Sequence, residues 1–182
     1  MNNHFQDIDL EITNFSNEIR AIAKELVFQE VCEFKPGESL CPESWNLLAC
    51  PGVYLIEIKT EGGFEDFRSW VENFKLSWEK SEYIYEYVPN LKKKRIGKHT
   101  DLKTWMPIYI GKSKWIGQRI KEHLYLDLKR HAFALKLSSR SNLTQHTFRV
   151  QIINIPVKNY DWIVPLVEST LREKYNPIIG RQ

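Results

Sequence analysis

Six widely separated side chains supply the groups that phosphodiester hydrolysis uses: Tyr54, Tyr109, Lys112, Arg119, His123 and Glu168. Such a reaction needs a base to activate water, positive charge on the phosphoryl oxygens and help for the departing alkoxide. A phenol or an imidazole can move the proton, and a guanidinium and an ammonium can hold the phosphate. A carboxylate can hold a hard divalent cation that keeps several waters. Tyr54 closes Gly52-Val53-Tyr54, and Tyr109 opens Tyr109-Ile110-Gly111, which runs into Lys112-Ser113. Glu168 stands alone on an apolar helical pattern that Asn176-Pro177 closes.

Local spacing indicates how each group could be presented. Arg119 and His123, four residues apart, project from one helix face beside the stripe of Ile116, Ile120 and Leu124. Lys112 and Ser113 fall where a strand hands over to that helix, a turn whose amides favour an anionic oxygen. Glycine at 111 lets the backbone approach a ligand closely. A phenol of ordinary pKa, ~10, is a poor base unless nearby cations depress it, and Lys112 and Arg119 could do so. His123 could then shuttle the proton. Asp161 reads as a surface charge, and His4, His99, His131 and His146 show no ligand spacing.

Positioning these groups takes an α+β arrangement. Residues 5–33 read as one helix from Phe15, Ile19, Ile22, Ala23, Leu26 and Val27, ended by Lys35-Pro36-Gly37. Residues 53–58 read as a buried strand, and Phe67, Trp70, Val71, Phe74 and Trp78 mark a second helix. Residues 83–88 alternate like a strand, and the basic run 92–98 reads as a loop or hairpin tip. Residues 107–111 and 147–153 read as further core strands and 160–174 as the last helix.

Composition bounds the rest. The 182 residues, 42% hydrophobic and 13% aromatic, suffice for one well-buried core. No apolar run approaches the roughly 20 residues that span a bilayer, and the start lacks a signal-peptide pattern, so a cytoplasmic location with no membrane partner is expected. Cys32, Cys41 and Cys50 fit neither a zinc pattern nor a disulfide framework. The net charge of +3 hides a polarity: residues 1–90 hold seven Lys and Arg against seventeen Asp and Glu, and residues 91–182 hold nineteen against six. A basic half suits a polyanionic partner.

The ordered set of motifs resembles the GIY-YIG nuclease superfamily. Gly52-Val53-Tyr54 matches the first half-motif, with Val for the commoner Ile, and Tyr109-Ile110-Gly111 matches the second. Arg119 and His123 stand where the family's arginine and frequent histidine stand, Lys112 where part of the family has lysine, and Glu168 at the helix-borne metal-binding glutamate. Asn176 fits the asparagine that often follows, as possible support. The resemblance covers residues 51–182 and implies a small central antiparallel three-stranded sheet flanked by helices. Residues 1–50 form a helical extension outside it, and residues 59–105 are a large insertion between the first two core strands.

The resemblance also implies one Mg²⁺ or Mn²⁺ per active site, held by Glu168, with Tyr54 as first and Tyr109 as second choice of base. DNA is the expected substrate, with Lys92, Lys93, Lys94, Arg95, Lys98 and Lys114 as candidate phosphate contacts. No appended recognition domain fits in the chain, so a restriction or phage-defence endonuclease, acting as a homodimer to cut both strands, is the leading reading. The alternatives are a structure-specific repair or recombination nuclease and a non-catalytic nucleic-acid-binding module of the same fold.

Overall fold

Short runs of β-branched and aromatic residues are stable as strands when neighbouring strands pair with them and their apolar faces are covered. In the computed structural model, which describes residues 2–180, three such runs pair side by side. Strand β2 (Gly52–Lys59) lies between β4 (Trp105–Ser113) and β5 (Phe148–Asn154), antiparallel to both. Strand β2 is buried along all but its last residue, as a largely apolar run at the centre of a covered sheet must be. A further strand, β1 (Gln29–Phe34), pairs antiparallel with β5 and gives the order β1-β5-β2-β4.

The sheet is therefore four-stranded, and the expected helix over 5–33 is corrected. Helix α1 (Asn2–Glu25) ends earlier, and residues 29–34 turn extended. The physical reason lies 119 residues away in sequence: β5 would otherwise leave one row of N–H and C=O groups unpaired. Arg149 on β5 fastens the added strand, bonding Glu30 of β1 at 3.0 Å and the buried Glu57 of β2 at 2.5 Å. Residues 1–50, expected as a helical flank, thus complete the central sheet.

Helices cover both faces. Against Val53, Leu55, Ile110 and Ile153 lie α1 and α6 (Tyr160–Tyr175). Against Tyr54, Ile56, Ile58, Met106 and Ile108 lie α3 (Phe67–Trp78) and α5 (Ile116–Tyr125). In α3 the Asp66 carboxylate accepts the Ser69 amide as N-cap, and Trp70, Phe74 and Trp78 stack in succession, 5.3 and 5.9 Å apart. The short α2 (Pro42–Leu47) starts on Pro42. Among the described residues no helix is long and apolar enough to cross a membrane.

The insertion differs from its expected form. Residues 83–88 are not a strand: a 3₁₀ turn at Ser81–Tyr83 points Tyr83 inward, where its hydroxyl meets Ser141 at 2.7 Å. The buried Arg140 guanidinium lies 3.7 Å from the Trp78 ring, so side-chain packing replaces sheet pairing. The basic run makes one helical turn, α4 (Lys93–Ile96), preceded by the two-residue strand β3 (Asn90–Leu91). Strand β3 pairs with β6 (Ile179–Gly180), beyond α6. Ile178 ties the two further, accepting from the Lys92 amide at 2.8 Å and donating to the Pro107 carbonyl at 3.0 Å. The segment after α6 therefore pins the basic run beside the site helix.

Candidate active site along the β4 edge

Tyr54 and Gly111 are register partners on β2 and β4, and Tyr109 lies two residues along on the same face. The Tyr54 ring occupies the space above Gly111, where a Cβ would come within 2.3 Å of the phenolic oxygen. Glycine there was expected to admit a ligand; it admits the tyrosine. The two phenol rings stack 6.2 Å apart, and the His123 ring, from α5, lies 4.7 Å from Tyr109 and 5.5 Å from Tyr54.

Hydrogen bonds fix the histidine. The Leu135 amide donates to His123 Nδ1 at 3.0 Å, so that nitrogen carries no proton. Nε2 must then carry it and donate to Tyr54 Oη at 2.8 Å. Burial holds the His123 pKa well below its ordinary value, and the Arg119 charge pushes the same way. A neutral imidazole with both nitrogens engaged holds the Tyr54 hydroxyl in place.

Burial likewise raises the Tyr54 pKa well above 10, and raises that of Tyr109. Arg119 reaches both phenols and lowers both, yet desolvation outweighs it, against the expected net depression. The guanidinium is held between Glu122 and the Phe133 carbonyl. Glu168 raises both phenols by its charge, which places its carboxylate within electrostatic reach of them.

Because side chains alternate along β4, Lys112 points to the α6 side while Tyr109 points to the α5 side. Strand β4 is one of the sheet's two outer strands, so both its faces border an open edge. Lys112 Nζ lies 2.6 Å from Glu168 Oε2, and Arg172 Nη2 lies 2.7 Å from Oε1. Arg172 also donates to the Ile110 carbonyl at 3.2 Å, which the outer edge of β4 leaves open. Arg172 was missed in the sequence, although its i+4 spacing from Glu168 signals an ion pair.

Beside Glu168 runs a groove of about 570 Å³ whose walls include Lys94, Arg95 and Lys98 from the insertion and Ser169 and Arg172 from α6. Arg95 feels both Arg172 and Glu168 electrostatically. Lys92 is half-buried and packs under Gly180, whereas Lys93 faces solvent. Lys114 lies apart from this groove, 2.7 Å from the exposed Asp161.

Two features singled out in the sequence have structural partners, although Asn176 also lines the groove. The first amides of α5 do not face an anion, because Ile116 donates to Cys50 and Gly117 to Leu48 at 3.1 and 2.9 Å. Asn176 caps α6 in the left-handed region, φ 48°, and its carbonyl accepts from His99 Nε2 at 2.8 Å. The three cysteines are free thiols.

No three His, Cys, Asp or Glu side chains cluster among the described residues. Lys112 and Arg172 occupy the two oxygens of Glu168, and a cation held there would have this one carboxylate and water as ligands, a donor set that would suit Mg²⁺ or Mn²⁺. The Lys112 ammonium, on a side chain 36% exposed, stands at Oε2 in the position such a cation would contest. No family model, curated protein or solved structure matches the chain.

Proposed function

We propose that this protein is a metal-dependent endonuclease of the GIY-YIG type, cutting DNA as a restriction or phage-defence enzyme. The observation that carries the reading is convergence. Tyr54, Tyr109, Arg119 and His123 gather on the α5 side of β2 and β4, Glu168 acts electrostatically on both phenols from the α6 side, and a groove walled by Lys94, Arg95, Lys98 and the Glu168 partner Arg172 runs beside it. In this reading β5, β2 and β4 are the three-stranded core of that family, and β1 is an addition.

A strand laid along Lys94, Arg95 and Lys98 would bring one phosphate to the β4 edge beside Arg119. The guanidinium would hold the non-bridging oxygens and bind more strongly as charge develops. A Mg²⁺ or Mn²⁺ on Glu168 would supply charge for the departing 3′-oxygen. Tyr54, in the phenolate form left once its own proton has gone to solvent and with its oxygen steadied by the His123 Nε2–H, would take the proton of the attacking water. Lys112, released from Glu168, would be free to turn to the phosphate.

Incubation with plasmid and phage DNA plus Mg²⁺, followed by sequencing of the ends, tests this. Discrete fragments that vanish with Glu168→Ala are expected. Preference for flaps or junctions over linear duplex would select a repair nuclease. Binding without cleavage, unchanged in Glu168→Ala, would leave only a binding module.

A further inference from the structure

Helix α1 is about 36 Å long at 24 residues, but only its second half meets the rest of the chain. Ile19, Ala23 and Leu26 pack against α6, whereas every residue from 4 to 15 is exposed. A dozen helical residues with no packing are marginal in water, so the arm calls for a partner.

Its sequence describes one. Phe5, Ile8, Ile12, Phe15, Ile19 and Ile22 alternate three- and four-residue steps, the 3.5-residue seam of paired helices. The spacing is symmetric about the bond between residues 13 and 14. Reversing the helix lays Phe5 on Ile22, Ile8 on Ile19 and Ile12 on Phe15. At the root of the arm a groove of about 510 Å³, walled by Phe15, Ile19, Trp162, Ile163 and Leu166, continues the same apolar surface.

We propose that α1 is a dimerisation arm, pairing antiparallel with α1 of a second copy through residues 5–22 and covering the groove beside Trp162. The area suffices. Phe5, Phe15 and Trp162 are 75%, 63% and 71% exposed and alone offer roughly 400 Å² per copy. That is half of the ~800 Å² each partner gives a standard interface, before the aliphatic residues are added. One cost is built in: this register sets Glu11 beside Glu18 of the second copy.

The inference is independent of the nuclease reading, and its test reads mass, not cleavage. Analytical ultracentrifugation of the full chain should show a concentration-dependent dimer. Phe5→Glu with Ile8→Glu should leave a monomer with unchanged thermal unfolding, since neither side chain touches the body. Glu11→Lys should tighten the dimer about threefold by replacing repulsion with an ion pair. A monomer at every concentration, or a dimer indifferent to the double substitution, would overturn the proposal. So would a monomeric chain whose arm instead binds phosphatidylglycerol vesicles.

Discussion

The Tyr54 ring lies over Gly111, its register partner across the β2–β4 ladder. Two triplets far apart in sequence are thereby one packing unit: the tyrosine of the first needs the glycine of the second. Gly111→Ala should destabilise the protein by about 1–3 kcal/mol, the usual cost of overpacking. The same substitution in a Tyr54→Ala background should cost far less, because the clash is gone. A double-mutant cycle by urea unfolding checks this, and additive losses would count against the packing.

With Tyr54 buried and its pKa raised, the resting phenol is protonated at neutral pH. If it serves as base, the cleavage rate should climb about tenfold per pH unit up to at least pH ~9. Tyr54→Phe should remove both the rate and the slope, while keeping the ring over Gly111 and hence DNA binding.

His123 bears on stability in the opposite range. Its folded pKa is depressed, so below about pH 6.5 the unfolded chain takes up a proton that the folded one refuses. Its contribution is fully present above that pH and falls by up to about 1.4 kcal/mol per unit as pH drops toward the folded pKa. Arg119 reinforces the refusal, and Tyr54 accepts the existing proton without offering a negative charge. Comparing wild type with His123→Gln by denaturant unfolding from pH 7 to 4.5 should show a shallower acid loss in the variant.

Lys112 holds the oxygen of Glu168 that a bound metal ion would need. Lys112→Met should tighten Mn²⁺ binding several-fold in calorimetry while slowing cleavage. Glu168→Gln should abolish both. Because the ammonium is partly exposed, losing the ion pair should cost under about 1 kcal/mol of stability.

The groove predicts a salt signature. Lys94→Ala, Arg95→Ala and Lys98→Ala should each weaken duplex binding and reduce the slope of log affinity against log salt by about 0.9 per lost phosphate contact. Lys114→Ala, away from the groove, should leave the slope unchanged.

The chemistry-bearing strands and helices were legible because each has its own periodicity. Val53 to Ile58 is apolar on both faces apart from Glu57, Phe67 to Trp78 keeps one aromatic face, and Arg119 and His123 share a helical face. Strand β1 was not legible, since its half-exposed residues 29–34 become extended only beside β5. The segment 83–88 misled in the converse way: its alternating tyrosines look like a strand, but Arg140 and Ser141 draw Tyr83 into a turn. The pKa directions at Tyr54 and His123 follow from burial at 1% and 0% exposure, which residue spacing does not encode.

Strand order carries a consequence for synthesis. The early strands β1 and β2 are separated in space by β5, which leaves the ribosome more than a hundred residues after β1. Until that late strand emerges, both wait with open edges, and only the β2–β4 pair can zip. A nascent or truncated chain lacking β5 is consequently the form most exposed to sticking to its neighbours, and it is the one a chaperone would be expected to meet.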